Sequence, residues 1–231
     1  MKKLMERIIA GLSEAPADNR FILGIVGFPA AGKSTLAEGL VAALNECLPV
    51  SGKAQILPMD GYHLPNATLD ELGLRELKGI PDTFDPIGFV DLLKRVKQMP
   101  DQVLHAPAFD RSIDGSIEDA IRIGTDVKVV VAEGNYLLLE NGDWAGVSEL
   151  LNDSWFLDAS LETIRPRLIE RHIAGGRTRQ EAIAKVESTD LPNALLIGKS
   201  RARARALVTA VDNKDTAGES FEYQICSQIQ L

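Results

Sequence analysis

Gly27-Phe28-Pro29-Ala30-Ala31-Gly32-Lys33-Ser34-Thr35 is the stretch that decides how this chain of 231 residues is read. It satisfies every fixed position of G-x-x-x-x-G-K-[ST]. Before it runs Phe21-Ile22-Leu23-Gly24-Ile25-Val26, almost wholly apolar, as a strand covered on both faces must be. After it, Leu36, Leu40, Val41 and Leu44 recur with helical period, which predicts a helix over 33–48 ended by Pro49. Gly27 and Gly32 allow backbone angles that bulkier residues resist, so successive N–H groups can turn onto phosphate oxygens. The positive end of the helix dipole points at the same anion. Lys33 is placed to reach the β- and γ-phosphates, and the Ser34 hydroxyl to ligate Mg²⁺. Residues 27–35 are therefore read as a nucleoside triphosphate site.

Outward from this turn, apolar runs of strand length alternate with segments of helical period. Leu4, Ile8, Ile9 and Leu12 share a face of a short opening helix, and buried strands are predicted over Ala54–Met59, Val127–Ala132, Trp155–Leu157 and Ala206–Val211. Repeated β-α-β order implies an α/β fold: three layers, a mostly parallel central sheet with helices on both faces, in a single domain over 1–231. Two regions interrupt the pattern. Residues 61–86 are rich in Gly, Pro, Asp and Asn, with a short helix expected near Leu69–Leu77, and residues 103–123 read as a hairpin insertion. Long loops in a compact domain are usually functional, so both are expected to hold an acceptor substrate.

Composition excludes several classes. With 25 Lys+Arg against 33 Asp+Glu, the net charge of -8 argues against a non-specific nucleic-acid binder. Hydrophobic content of 45% excludes wholesale disorder. No apolar run approaches the length of a membrane span, and Glu6 and Arg7 interrupt any signal-peptide core. Cys47 and Cys226, far apart, are expected to be reduced and buried, in a cytoplasmic protein.

Two acids are expected beside the phosphate turn. Val129-Val130-Val131-Ala132-Glu133-Gly134 is an apolar strand followed by an acid that can hold Mg²⁺ or polarise its water; otherwise Glu133 only opens a turn with Gly134. Ile56-Leu57-Pro58-Met59-Asp60-Gly61-Tyr62-His63 puts Asp60 at the carboxyl end of a strand, the edge where ligands of open α/β sheets gather. An acid there can accept the proton of a hydroxyl attacking the γ-phosphate, although Asp-Gly is equally a common turn pair.

Asp60-Gly61-Tyr62-His63 resembles the acid-plus-aromatic element of the uridine kinase, phosphoribulokinase and bacterial pantothenate kinase superfamily. Thr83-Phe84-Asp85-Pro86 resembles its Phe-Asp element, and Pro107-Ala108-Phe109-Asp110-Arg111 its Pro-x-Tyr-Asp segment. Arg167-Leu168-Ile169-Glu170-Arg171-His172, with Gly176-Arg177-Thr178, is similar to its arginine-bearing lid, here over about 165–180. Asp190-Leu191-Pro192-Asn193 is similar to the nucleoside/nucleotide kinase-like branch that includes fructose transport system kinases. The chain departs from the pattern where His172 replaces an aspartate and Phe109 a tyrosine. The resemblance implies a P-loop NTPase fold with a lid, and an ATP- and Mg²⁺-dependent kinase acting on a hydroxyl of a small metabolite. A sugar such as fructose comes first, with pantothenate or a nucleoside behind it. On this reading Gly27, Phe28, Pro29, Ala30, Ala31, Gly32, Lys33, Ser34 and Thr35 hold ATP together with Arg171 and Arg177. Ser34 and Glu133 hold the metal, and Asp60, Lys33 and Arg171 are catalytic. Asp60, Tyr62, His63, Asp85, Phe109, Arg111 and Glu133 face the acceptor.

Arg167, Arg171 and, across Gly175-Gly176, Arg177 can converge on one phosphate group and neutralise its charge; a solvated basic helix face is the alternative. Thr178-x-x-Glu181 reads as a capping box. Pro166 requires the preceding helix either to begin near Arg165 or to kink. Arg201, Arg203 and Arg205 are expected in solvent. His63 could touch the acceptor or merely sit in a turn, and Arg111 could pair with an anionic acceptor or a structural acid. A GTP-binding switch is disfavoured: Asp212-Asn213-Lys214-Asp215 resembles N-K-x-D but has Thr216 where the aspartate belongs. An ATPase or regulator without an acceptor would leave the long insertions without a purpose.

Overall fold

The computed structural model describes all residues except 15, 17–18, 49–51, 213–220 and 229–231. In chain order it begins with α1 (Lys2–Glu14), β1 (Phe21–Gly27), α2 (Lys33–Cys47) and β2 (Lys53–Pro58). A 3₁₀ turn over Met59–Tyr62 leads to α3 (Asn66–Glu71), α4 (Pro86–Gln98), β3 (Leu104–Asp110) and β4 (Gly115–Ile123). Then come β5 (Val127–Gly134), β6 (Asp153–Asp158), α5 (Leu161–Ala174), α6 (Arg179–Lys185), α7 (Leu191–Gly198), β7 (Ala206–Asp212) and β8 (Phe221–Gln228).

Six strands form one sheet in the order β2-β5-β1-β6-β7-β8, parallel except that β8 runs antiparallel to β7. β1 lies at its centre, with Leu23 opposite Val131 of β5 on one side and Asp153 of β6 on the other. Every residue of β1 is buried, because its two faces feed two separate cores. Ile22 and Val26 pack with Val130, Phe89 and Leu93 of α4, Tyr136 and Trp144. Leu23 and Ile25 pack on the other face with Leu4, Ile8, Leu36, Leu40 and Leu44 of α1 and α2, and with Ile164 and Leu168 of α5. Parallel register brings the carboxyl ends of three strands together: Val26 stands opposite Gly134, and Pro58 opposite Glu133. β3 and β4 pair with each other, outside the central sheet.

Several local expectations change. Ile9 is 41% exposed, since the apolar stripe of α1 is completed by Met1, Met5 and Leu12 instead. The helix expected near Leu69–Leu77 is split into α3 and a 3₁₀ turn at Arg75–Leu77. α5 starts at Leu161, where Ser160 accepts a bond from the Thr163 amide, and it runs through Pro166 rather than beginning near Arg165. Cys47 and Cys226 are free but exposed, not buried. Arg203 is half-buried, donating to the Leu138 carbonyl at 2.8 Å. Pro49 and the Asn213-Lys214-Asp215 run lie outside the described residues. Among the described residues no helix is long and apolar enough to cross a membrane.

Arg20 holds the pole of the sheet opposite the phosphate turn. It is fully buried, yet its guanidinium donates to the carbonyls of Val127, Met99, Pro100, Gln102 and Gly124 at 2.9–3.2 Å. Those acceptors come from β5, the loop before it and the connection between α4 and β3, so one side chain ties three segments to the start of β1. Replacing it with leucine leaves several buried carbonyls without donors, each worth about 1–3 kcal/mol. Arg20→Leu is therefore expected to lower unfolding stability by about 3 kcal/mol or more in a urea titration. A loss below about 1 kcal/mol overturns that assignment.

Candidate active site

The turn after β1 is shaped by close approach as much as by backbone freedom. At Gly27 a Cβ would stand 2.7 Å from the Leu157 carbonyl oxygen, so only glycine lets β1 and β6 end side by side here. Gly32 has φ +98°, the left-handed region that a glycine adopts without strain, and Ala30 also has a positive φ of 61°. Gly32 caps α2 without a side chain, leaving the first amides of the helix free for an anion. Lys33 is 8% exposed, and its ammonium donates to the Phe28 carbonyl at 3.0 Å and to Asn135 Oδ1 at 2.7 Å. Burial pushes its pKa down, against the opposing pull of Glu133 and Asp60.

Glu133, near the end of β5, is buried and accepts a bond from Ser34 Oγ at 3.1 Å. Burial pushes its carboxyl up, with the Lys33 charge acting the other way. A hydroxyl oxygen and a carboxylate side by side are hard donors of the kind Mg²⁺ takes when phosphates and water complete its shell. Among the described residues no cluster of three or more His, Cys, Asp or Glu could hold an ion alone. Asp60 follows β2 in the 3₁₀ turn, half-buried on the wall of the same cleft. Its carbonyl accepts from the His63 amide at 3.2 Å and meets His63 Nδ1 at 2.8 Å. The His63 ring is packed between Phe84 and Phe109, with centroids 3.9 and 4.8 Å away, and this burial pushes its pKa down.

The cleft has a volume of about 970 Å³, in the range of a small-molecule site. Pro29, Ala30, Gly32, Lys33, Ser34 and Thr35 form one wall, with Asp60 and Glu133 beside them. Arg171 and Arg177 come from the end of α5 and the segment after it, while Phe109 and Arg111 come from the hairpin. Burial and then the neighbouring Arg111 charge push the Arg171 guanidinium down. Two cations facing one cleft, with no carboxylate hydrogen-bonded to either among the described residues, suit an anion. Arg167 remains exposed and, among the described residues, its one hydrogen-bond partner is the Ala30 carbonyl at 3.4 Å.

Gly27, Phe28 and Ala31 build the turn from behind; Phe28 packs edge-on against Phe156 at 5.5 Å. Tyr62 and Asp85 do not reach the cleft lining. Tyr62 is buried against Phe89 at 5.1 Å, which pushes its phenol pKa up. Asp85 caps α4, accepting from the Gly88 amide at 2.9 Å. Sequence reasoning missed Asn135, which only its place two residues beyond Glu133 could have suggested. It also missed Lys78, whose ammonium is held by Asn66 Oδ1 at 2.7 Å and by Asp114. The Asp190 carboxylate meets His172 Nε2 at 2.7 Å, and both line the cleft.

No family model matches the chain. A candidate uridine kinase of Schizosaccharomyces pombe is 33% identical over 187 residues, which cover 78% of this chain and 79% of the relative. A pantothenate kinase of Enterococcus faecalis is 32% identical over 152 residues, covering 65% of this chain but 49% of that enzyme. Among solved structures, a candidate fructose transport system kinase from Silicibacter sp. TM1040 has a TM-score of 0.77 and 34% identity. The match covers 89% of this chain and 98% of that one.

The capping role of Asp85 can be checked directly. Asp85→Ala is expected to cost about 1 kcal/mol of stability in a denaturant melt while leaving the affinity for Mg·ATP unchanged. A large loss of nucleotide or acceptor turnover without loss of stability would return Asp85 to the substrate site.

Proposed function

Because the chain belongs to the uridine kinase and pantothenate kinase family of P-loop kinases, we propose that it transfers the γ-phosphate of ATP to a hydroxyl of a small metabolite, a sugar such as fructose. One observation carries the reading: Lys33, Glu133 and Asp60 open onto a single cleft at the carboxyl edge of β1, β5 and β2.

The amides that begin α2 and the turn before it would bind the phosphate oxygens, with Lys33 neutralising the β- and γ-phosphates. Ser34 and Glu133 would hold Mg²⁺, which would supply charge neutralisation for the transferring phosphate. Asp60 takes the proton of the acceptor hydroxyl as that oxygen attacks the γ-phosphorus. The bond from phosphorus to the bridging oxygen breaks, and ADP leaves. Arg171 and Arg177, in a lid over about 165–180, offset the charge that spreads over the equatorial oxygens and exclude water. The insertions at 61–86 and 103–123, through His63, Phe109 and Arg111, would hold the acceptor. Similarity to the candidate fructose transport system kinase supports a sugar ahead of pantothenate or a nucleoside. Exposed free thiols at Cys47 and Cys226 suit a reducing compartment such as the cytoplasm.

Coupled ADP detection with Mg·ATP and a panel of sugars, pantothenate and nucleosides tests the proposal. Acceptor-dependent ADP release is the expected result; release indifferent to every acceptor supports an ATPase or regulator instead. Asp60→Asn is expected to lower kcat by about 100-fold or more with Mg·ATP affinity retained, as loss of a general base requires. A drop of only a few-fold removes Asp60 from that role.

A further inference from the structure

Asn193 stands on α7, one position after Pro192, and lines the cleft although it is only 6% exposed. Its amide nitrogen donates to the Gly79 carbonyl at 2.8 Å and to the Tyr136 hydroxyl, which itself donates to the same carbonyl. The carbonyl neighbour fixes the orientation of the amide, because an oxygen turned towards Gly79 O would face another acceptor. The other amide atom, Asn193 Oδ1, is buried and has no donor among the described residues. A buried carbonyl oxygen without a donor costs about 1–3 kcal/mol, so a site that keeps one is built to receive a donor from elsewhere.

The polar groups nearby say which donor. Gly79 O already accepts two bonds, and Asp60 and Asp190 are acids on the same cleft wall. Lys78, next to Gly79 in sequence, is occupied by Asn66 and Asp114. Lys185, which also lines the cleft, donates to the Glu76 carbonyl at 2.5 Å. Arg111, Arg171 and Arg177 also line the cleft, with Arg171 within reach of the charges of Asp60 and Asp190 as well as of Arg111, but none of them donates to Asn193 Oδ1 among the described residues. The oxygen left over at Asn193 is a neutral acceptor, which matches an O–H group and gives a carboxylate or phosphate oxygen no donor.

Resting on the kinase reading above, we propose that Asn193 Oδ1 is a specificity-determining acceptor for a non-reacting hydroxyl of a polyhydroxylated substrate, with Tyr136 and Gly79 holding the amide in place. Asn193 lines the cleft while its Oδ1 is buried, so on this proposal the hydroxyl reaches the oxygen as the wall adjusts around the ligand. A site that depends on such a bond rejects an analogue lacking the hydroxyl far more strongly than an apolar pocket rejects a missing methylene.

The test is calorimetric binding of D-fructose and its monodeoxy analogues to the Mg·ADP-loaded protein, for the unaltered chain and for Asn193→Leu. For the unaltered chain, removal of one particular hydroxyl is expected to weaken binding by about tenfold or more. Asn193→Leu weakens binding of the parent sugar by a similar factor and no longer distinguishes that analogue from it. Unchanged Mg·ADP affinity shows that the variant is folded; should it not fold, the analogue series on the unaltered chain still decides. Equal binding of the sugar by both proteins, retained discrimination in Asn193→Leu, or indifference of the unaltered chain to every deletion overturns the proposal. Failure to bind any of these sugars while Mg·ADP binds overturns the polyhydroxylated class and leaves the kinase reading to its own assay. Failure to bind Mg·ADP strikes the kinase reading, and this inference falls with it.

Discussion

A buried ammonium keeps its charge only while oxygens surround it, and that requirement at Lys33 organises the whole cleft. Its two oxygen partners come from different parts of the chain: the Phe28 carbonyl belongs to the phosphate turn, and Asn135 lies just past β5. One side chain thus pins the turn to the neighbouring strand end. That strand end also carries Glu133, whose carboxylate takes the Ser34 hydroxyl. The parallel sheet performs the coarse placement, since it sets the carboxyl ends of β1, β2 and β5 side by side. The buried cation then fixes the fine geometry.

Charge is distributed against the average of the molecule. The chain carries a net charge of -8, yet Lys33, Arg111, Arg171 and Arg177 converge on one cleft. Burial already disfavours the charged forms of Lys33 and Arg171, and like charge from Arg111 adds to this at Arg171. An entering polyanion relieves both strains at once.

What the sequence revealed and what it concealed divide along sequence distance. The phosphate turn, the apolar β1 and β5, and the Thr178–Glu181 capping box depend on residues within a few positions of each other, and periodicity or spacing exposes them. Tyr62 and Asp85 were legible as chemistry but not as direction: a turn aromatic can face core or cleft, and an acid before a helix can cap it. Contacts between remote segments left no local mark. Asn135 meets Lys33 across 102 positions and Asn193 meets Gly79 across 114, so only the fold could join them. Pro166 shows the reverse case, in which a strong local signal against helix yields to the Ser160 cap and the burial of Ile164, Leu168 and Ile169.

The β3–β4 hairpin shares no ladder with the central sheet; it meets the rest of the molecule through the turn at Gly61, the side chains of Arg75 and Lys78, and packing against α4. Substitutions on its cleft side can therefore accumulate without disturbing the hydrogen bonds that set β1 beside β5. On the kinase reading proposed above, the hairpin's share in acceptor choice is separable from the handling of phosphate. The hairpin is thus an appendage whose cleft face can vary while the ladder beneath the phosphate turn stays as it is.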